Sequence, residues 1–199
     1  MIEELNVLIE GLSDEIIVKK IIEFVGIPLG PIYGKKGKSY LLNRLPTYNK
    51  AAQFSHWLAL VDLDQDAACA ATFVQNTLPE PSEKMCFRIA VHAIEGWLLA
   101  DSEHLAAFLG ISRTLIPRNP DQEQDPKVTL LNLARRSNRN SLKQDILPRP
   151  NTSAKVGKLY VSRIIEFVTT AEKPWRVGVA LQHSESLFRC IEALKKIKI

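Results

Sequence analysis

WLALVDLDQD, residues 57–66, decides how this chain folds: an unbroken apolar run stops abruptly at alternating aspartates. An apolar run of that length, without polar interruption, is the pattern of a strand buried on both faces, as in a parallel sheet covered by helices. Upstream, residues 6–9 form a second short apolar run, halted by Glu10-Gly11. Ser13 and the acidic residues after it read as the N-cap and first turn of a helix over residues 14–25. Ile16, Ile17, Ile21, Ile22 and Val25 lie on one stripe of that helix, and Gly26 followed by Pro28 closes it. Between the two strands, residues 29–33 read as another strand and 39–54 as a helix interrupted by Pro46.

Downstream of the aspartates come an alanine-rich helix over 67–76, a loop with Pro79 and Pro81, a fourth strand over 86–91, and a helix over 93–100 carrying Glu95. Alternating strands and helices predict an α/β fold with a largely parallel sheet flanked by helices. From about Ser112 the character changes to proline-punctuated helices, over 126–136, 141–146, 161–168 and 186–197. The expected organisation is an α/β core over residues 1–111 with a C-terminal helical extension over 112–199, packed on it as one unit.

A chain of 199 residues buries enough apolar surface to need no disulfide framework. Cys69, Cys86 and Cys190 are few, distant and odd in number, which matches neither a secreted staple pattern nor zinc-ligand spacing. With no basic leader before an apolar segment and no run of membrane-spanning length, the expected location is the cytoplasm. The net charge of +4 and pI near 9.0 are compatible with phosphate-rich partners. Lys35, Lys36, Lys38, Arg44 and Lys50 form one basic stretch; Arg135, Arg136, Arg139, Lys143, Arg149, Lys155 and Lys158 form another. A solvated surface and a nucleic-acid track both remain open for them.

In an open parallel sheet, ligands bind outside the carboxyl ends of the strands. Glu10 follows the first strand, Asp62, Asp64 and Asp66 follow the third, and Glu95 lies in the first turn of the helix after the fourth. Alternation along an extended chain predicts that Asp62 and Asp64 face one side, where both can meet one ion. A hard cation such as Mg²⁺ favours such oxygen donors. Acidic residues also favour turns and helix starts, so Asp64 or Asp66 could simply cap the following helix. Taken together, convergent like charges at buried strand ends are costly unless a cation neutralises them.

The segments LIEGLSDEIIVKKII (8–22) and LALVDLDQD (58–66) resemble the two signature motifs of TOPRIM domains. RIAVHAIEGWLLADSEHLAAFLGI (88–111), the later DPK (125–127) and HSESLFRCIEAL (183–194) look like the small TOPRIM-like proteins of bacterial anti-phage systems that work beside an ABC-type ATPase. IEGWLLAD is the most specific of these stretches. The resemblance implies a TOPRIM-like fold and a Mg²⁺- or Mn²⁺-dependent nuclease acting on DNA or RNA, possible tRNA among the substrates, with a partner ATPase that holds or activates it. Glu10 then matches the family glutamate, Asp62 and Asp64 match the Asp-x-Asp pair, and Glu95 matches an acidic position completing a second metal site. Asp66 becomes an outer ligand or a helix cap. Related nucleases also place a lysine near the transferred phosphate, for which Lys127 and Lys158 are the candidates.

Several signals fail. Gly37-Lys38-Ser39 ends like a phosphate-binding loop, but Ile32 stands where that motif needs its first glycine; Lys35, Lys36 and Lys38 are instead candidate phosphate contacts. His56, His92, His104 and His183 show no metal-ligand spacing, and Ser13 lacks a nucleophile elbow. Trp57, Trp97 and Trp175 read as core or partner-contact residues rather than base-stacking platforms. Two other functions compete with the nuclease: a metal-binding subunit of the ATPase without rapid turnover, and a phosphatase of the haloacid dehalogenase kind. The latter places its Asp-x-Asp after the first strand and a threonine where this chain has Asp66. Homo-oligomerisation is left open.

Overall fold

A computed structural model of the chain describes residues 3–197. Four strands, β1 (Leu5–Ile9), β2 (Leu29–Gly34), β3 (Trp57–Asp62) and β4 (Met85–Ala90), form an all-parallel sheet in the order β2-β1-β3-β4. The connections contain α1 (Leu12–Val25), α2 (Lys38–Ala51) and α3 (Ala70–Thr77). The α/β fold with a helix-flanked parallel sheet is therefore present as expected.

Side-chain alternation explains the two covered faces. Val7, Ile9, Leu58 and Leu60 point to the face of α1, whereas Leu8, Ala59 and Val61 point to the face of α2 and α3. The remaining helices are α4 (Glu95–Leu99), α5 (Ser102–Leu109), α6 (Pro126–Arg135), α7 (Asn140–Ile146), α8 (Tyr160–Thr169), α9 (Val177–Ala180) and α10 (Glu185–Leu194). They join α1 on its side of the sheet, so residues before and after Ile111 share one apolar cluster. Trp97 and Trp175 lie at its centre: the Trp97 indole donates to Ser186 Oγ (2.8 Å), and that of Trp175 donates to the Trp97 carbonyl (3.0 Å).

Several boundaries differ from the sequence reading. Helix α1 starts before Ser13: its N-cap is Gly11, whose N–H donates to the Asp14 carboxylate (2.9 Å). Helix α2 runs unbroken through Pro46, which removes one N–H but does not end the helix. Helix α3 begins at Ala70 with Cys69 as N-cap, so neither Asp64 nor Asp66 caps it. The helix expected over 93–100 begins at Glu95 and is followed by a break at Asp101, which caps α5 by accepting from the His104 N–H. Asp101 is fully buried and is held by Arg176 through its backbone N–H and guanidinium, the shortest contact being 2.7 Å. Helix α9 was not foreseen, and α10 ends at Leu194 rather than near Ile197.

Candidate active site

The path of the chain reverses between β1 and β3: β2 lies on one side of β1, and the chain then crosses back to build β3 and β4 on the other. A crevice opens at such a switch point, outside the carboxyl ends of the strands. Glu10 and Asp62 stand there. The Asp62 N–H donates to Glu10 Oε1 (2.9 Å), which ties the two strand ends together.

The loop after β2 folds over the end of β1, with Lys35 N–H on the Ile9 carbonyl and Gly37 N–H on the Glu10 carbonyl, both at 2.9 Å. Gly34 makes this approach possible. It has φ +92, and a Cβ there would lie 2.2 Å from the Ile9 carbonyl oxygen. The loop delivers Lys38, at the start of α2, onto the aspartate run. Its ammonium contacts Asp66 Oδ2 (2.6 Å), Asp64 Oδ2 (2.9 Å) and the Leu63 carbonyl (3.3 Å).

Asp62 and Asp64 do not share one side as the extended alternation implied. The strand ends at Asp62, and Asp64 has φ +51, a left-handed turn that aspartate tolerates. Asp62 Oδ1 accepts from the Ile94 N–H (2.8 Å) at the start of α4. Asp64 turns out to solvent and Lys38, its N–H bonded to the His92 carbonyl (2.7 Å).

The carboxylates therefore form an inner group and an outer group. The inner group is Glu10, Asp62, Glu95 and Asp14; the outer group is Asp64 and Asp66 around Lys38. Glu95 is 1 % exposed. Its Oε1 accepts from the Tyr160 hydroxyl (2.8 Å) and faces the Lys127 ammonium (3.3 Å), while its Oε2 is buried without a hydrogen-bond partner. Burial pushes the Glu10 carboxyl up to about 7; Asp14 adds to this and the Asp62 N–H opposes it. Burial also drives Asp62 well above the ordinary carboxylate range, reinforced by Glu95, Asp14 and Glu10. Tyr160 is raised strongly by burial and by Glu95. Burial alone would lower Lys127, but Glu95 and Asp62 outweigh it and hold the ammonium charged. Lys38 is likewise raised, its desolvation overcome by Asp66 and Asp64.

Among the described residues, no group of three or more acidic, histidine or cysteine side chains converges in a ready-made chelate. Backbone N–H groups hold one oxygen each of Glu10 and Asp62, and lysines pair with Asp64, Asp66 and Glu95. The donor chemistry still fits a hard cation, because the inner group offers only carboxylate oxygen and one of those oxygens, Glu95 Oε2, is buried and unpartnered.

Of the candidate lysines, Lys38 and Lys127 reach the site. Lys35 pairs with Glu15 (2.7 Å), and Lys36 lies over the Tyr40 ring. Lys158 lines a separate cavity of about 690 Å³ with Lys143 and Arg149. Sequence reasoning missed two members of the site. Asp14 lies in the first turn of α1, where an acidic residue reads in the sequence only as a helix-start preference. Tyr160 lies 65 residues from Glu95, and nothing local marks it. The chain matches no family model, no curated protein and no solved structure.

Proposed function

We propose that this protein is a Mg²⁺- or Mn²⁺-dependent nuclease that hydrolyses phosphodiester bonds in DNA or RNA. The observation that carries the reading is Glu95: a fully buried carboxylate with one oxygen unpartnered, set beside Asp62, whose other acidic neighbours are Asp14 and Glu10. Glu10, Asp62 and Glu95 would hold the metal, with Asp64 and Asp66 as outer ligands. A divalent ion there would polarise the phosphate and lower the pKa of a bound water.

The chain's own side chains supply the remaining functions. Lys38 and Lys127 bracket the acidic groups and offer charge-assisted hydrogen bonds to phosphate oxygens. Glu10, poised near neutrality, is able to take up or release a proton. Tyr160 fixes the orientation of Glu95. The resemblance of the IEGWLLAD stretch to small TOPRIM effectors extends the proposal to a cytoplasmic defence protein working beside an ABC-type ATPase.

A second reading, a metal-binding subunit without rapid turnover, is favoured by one feature: Lys38 and Lys127 already pair with the acids, which describes a closed site. One experiment separates the two. Single-stranded DNA, double-stranded DNA and tRNA are incubated with the protein and Mg²⁺ or Mn²⁺, comparing wild type with Glu10→Ala, Asp64→Ala and Glu95→Gln. Metal-dependent cutting by the wild type, lost in Glu10→Ala and Glu95→Gln, is the expected result. Equal cutting by all four proteins would sink the site assignment. Mn²⁺ binding without cutting, even with the ATPase partner removed, would favour the second reading.

A further inference from the structure

The two edges of the sheet are unlike. Edge strand β2 contains Pro31, which offers no N–H, between Gly30 and the chain's turn at Gly34, and it alternates between exposed and half-buried residues. These are the usual devices that blunt an edge against pairing. Edge strand β4 has none of them inside its span, MCFRIA, and pairs only with β3.

Beyond the open edge of β4 lies a groove of about 670 Å³. Its floor includes Phe87, Arg88, Ile89 and Val91. Phe87 and Ile89 belong to the apolar cluster on the α3 side, whereas Cys86, in phase with Arg88, packs on the opposite side. Side chains from both faces of one strand line a single groove only when that groove follows the strand's edge. Val74 of α3 and Leu78 just after it form one wall, and Ser186 and Arg189 of α10 form the other.

The charges in the groove are unevenly satisfied. Asp121 accepts from the Ser184 hydroxyl (2.7 Å) and the Ser186 N–H (2.8 Å), and Glu185 accepts from Arg189 (2.7 Å). Arg88 Nε is buried with no hydrogen-bond partner, and among the described residues Arg88 forms no ion pair, its side chain lying against the Cys86 thiol instead. A second copy of this chain is a poor match, because two β4 edges paired about a two-fold axis centred on the strand would bring two Arg88 charges together.

From the open β4 edge, the apolar groove along it and the guanidinium on its floor that has no carboxylate partner, we infer that the groove binds an extended segment of a partner protein that adds a fifth strand and places an acidic side chain against Arg88. Main-chain hydrogen bonds to β4 supply affinity, the α3 wall takes the segment's apolar side chains, and Arg88 selects for the acid. The inference does not depend on the nuclease reading, since the groove shares no residue with the acidic site.

The test uses the full chain and a fluorescein-labelled, end-blocked peptide of alternating valine and threonine with a central glutamate and soluble glycine-serine flanks. Two controls replace the glutamate by lysine or N-methylate alternate amides. Fluorescence anisotropy should show saturable binding of the glutamate peptide, about tenfold weaker binding of the lysine peptide, and none of the methylated one. Arg88→Glu should reverse the preference. Ala71→Trp, on the exposed flank of the groove, should abolish binding while leaving the circular dichroism and the urea midpoint unchanged. Equal affinity for both charged peptides, indifference to N-methylation or no saturable binding would overturn the proposal. So would self-association through β4 in sedimentation, or occupation of the groove by decanoate but not by peptide.

Discussion

Glu10 carries the clearest pH signature in the molecule. Its folded pKa of about 7 lies above the unfolded value near 4.5, so between those values the folded state binds more protons than the unfolded one. Metal-free protein should therefore lose stability as pH rises through that window. Full burial would set the loss at about 3 kcal/mol, and solvent screening of this partly exposed group brings it to the order of 1 kcal/mol. Asp62, raised by the same burial, acts in the same direction. Urea midpoints in chelator should fall from mildly acidic to mildly alkaline pH, and Glu10→Gln should flatten that dependence; an unchanged slope in the variant would refute the assignment. A different residue supplies the contrast. Asp101 is fully buried and held chiefly by Arg176, so Arg176→Met should destabilise by about 3–5 kcal/mol, read from the same urea curves.

At the level of elements, Gly34 and the turn after β2 decide where Lys38 arrives. Gly34→Ala would force a Cβ to within 2.2 Å of the Ile9 carbonyl at a left-handed backbone position. The expected cost is about 2–4 kcal/mol, visible as a lowered melting temperature. Strands β1 and β3 were legible in the sequence because each is an apolar run that stops sharply at an acid, Glu10 and Asp62; β2, with Gly30-Pro31 inside it, and β4, with Arg88, carried a weaker signal. Helix ends were less legible. Ser13 looks like a cap because hydroxyls usually are one, yet the free carboxylate of Asp14 reaches the Gly11 N–H and starts α1 earlier. The break between α4 and α5 could not be read locally, since the aspartate that makes it is stabilised by an arginine 75 residues away. The same distance problem hid Tyr160, whereas Lys127 was found through its motif and not through any spacing to Glu95.

At the scale of the whole molecule, residues on both sides of Ile111 are interlocked. Trp97 from α4, Phe167 from α8 and Leu187 from α10 are fully buried in one cluster with Ile17 and Ile21 of α1. A fragment ending at Ile111 would expose that face of the sheet and leave Glu95 without Tyr160 and Lys127. It should therefore fail to fold, giving a collapsed proton spectrum without dispersed methyl signals, while the full chain unfolds in one cooperative step by fluorescence and by circular dichroism alike. An independently folded fragment would instead make the helical half a separate domain. The position of Trp97 has a practical consequence. Its indole sits two residues after Glu95, sealed from water and donating its N–H to Ser186, while its carbonyl receives the indole of Trp175. The acidic crevice thus has an optical reporter beside it: Mn²⁺ bound as proposed, by shifting the first turn of α4, should alter the emission of this buried tryptophan pair, a change read by intrinsic light without label or substrate.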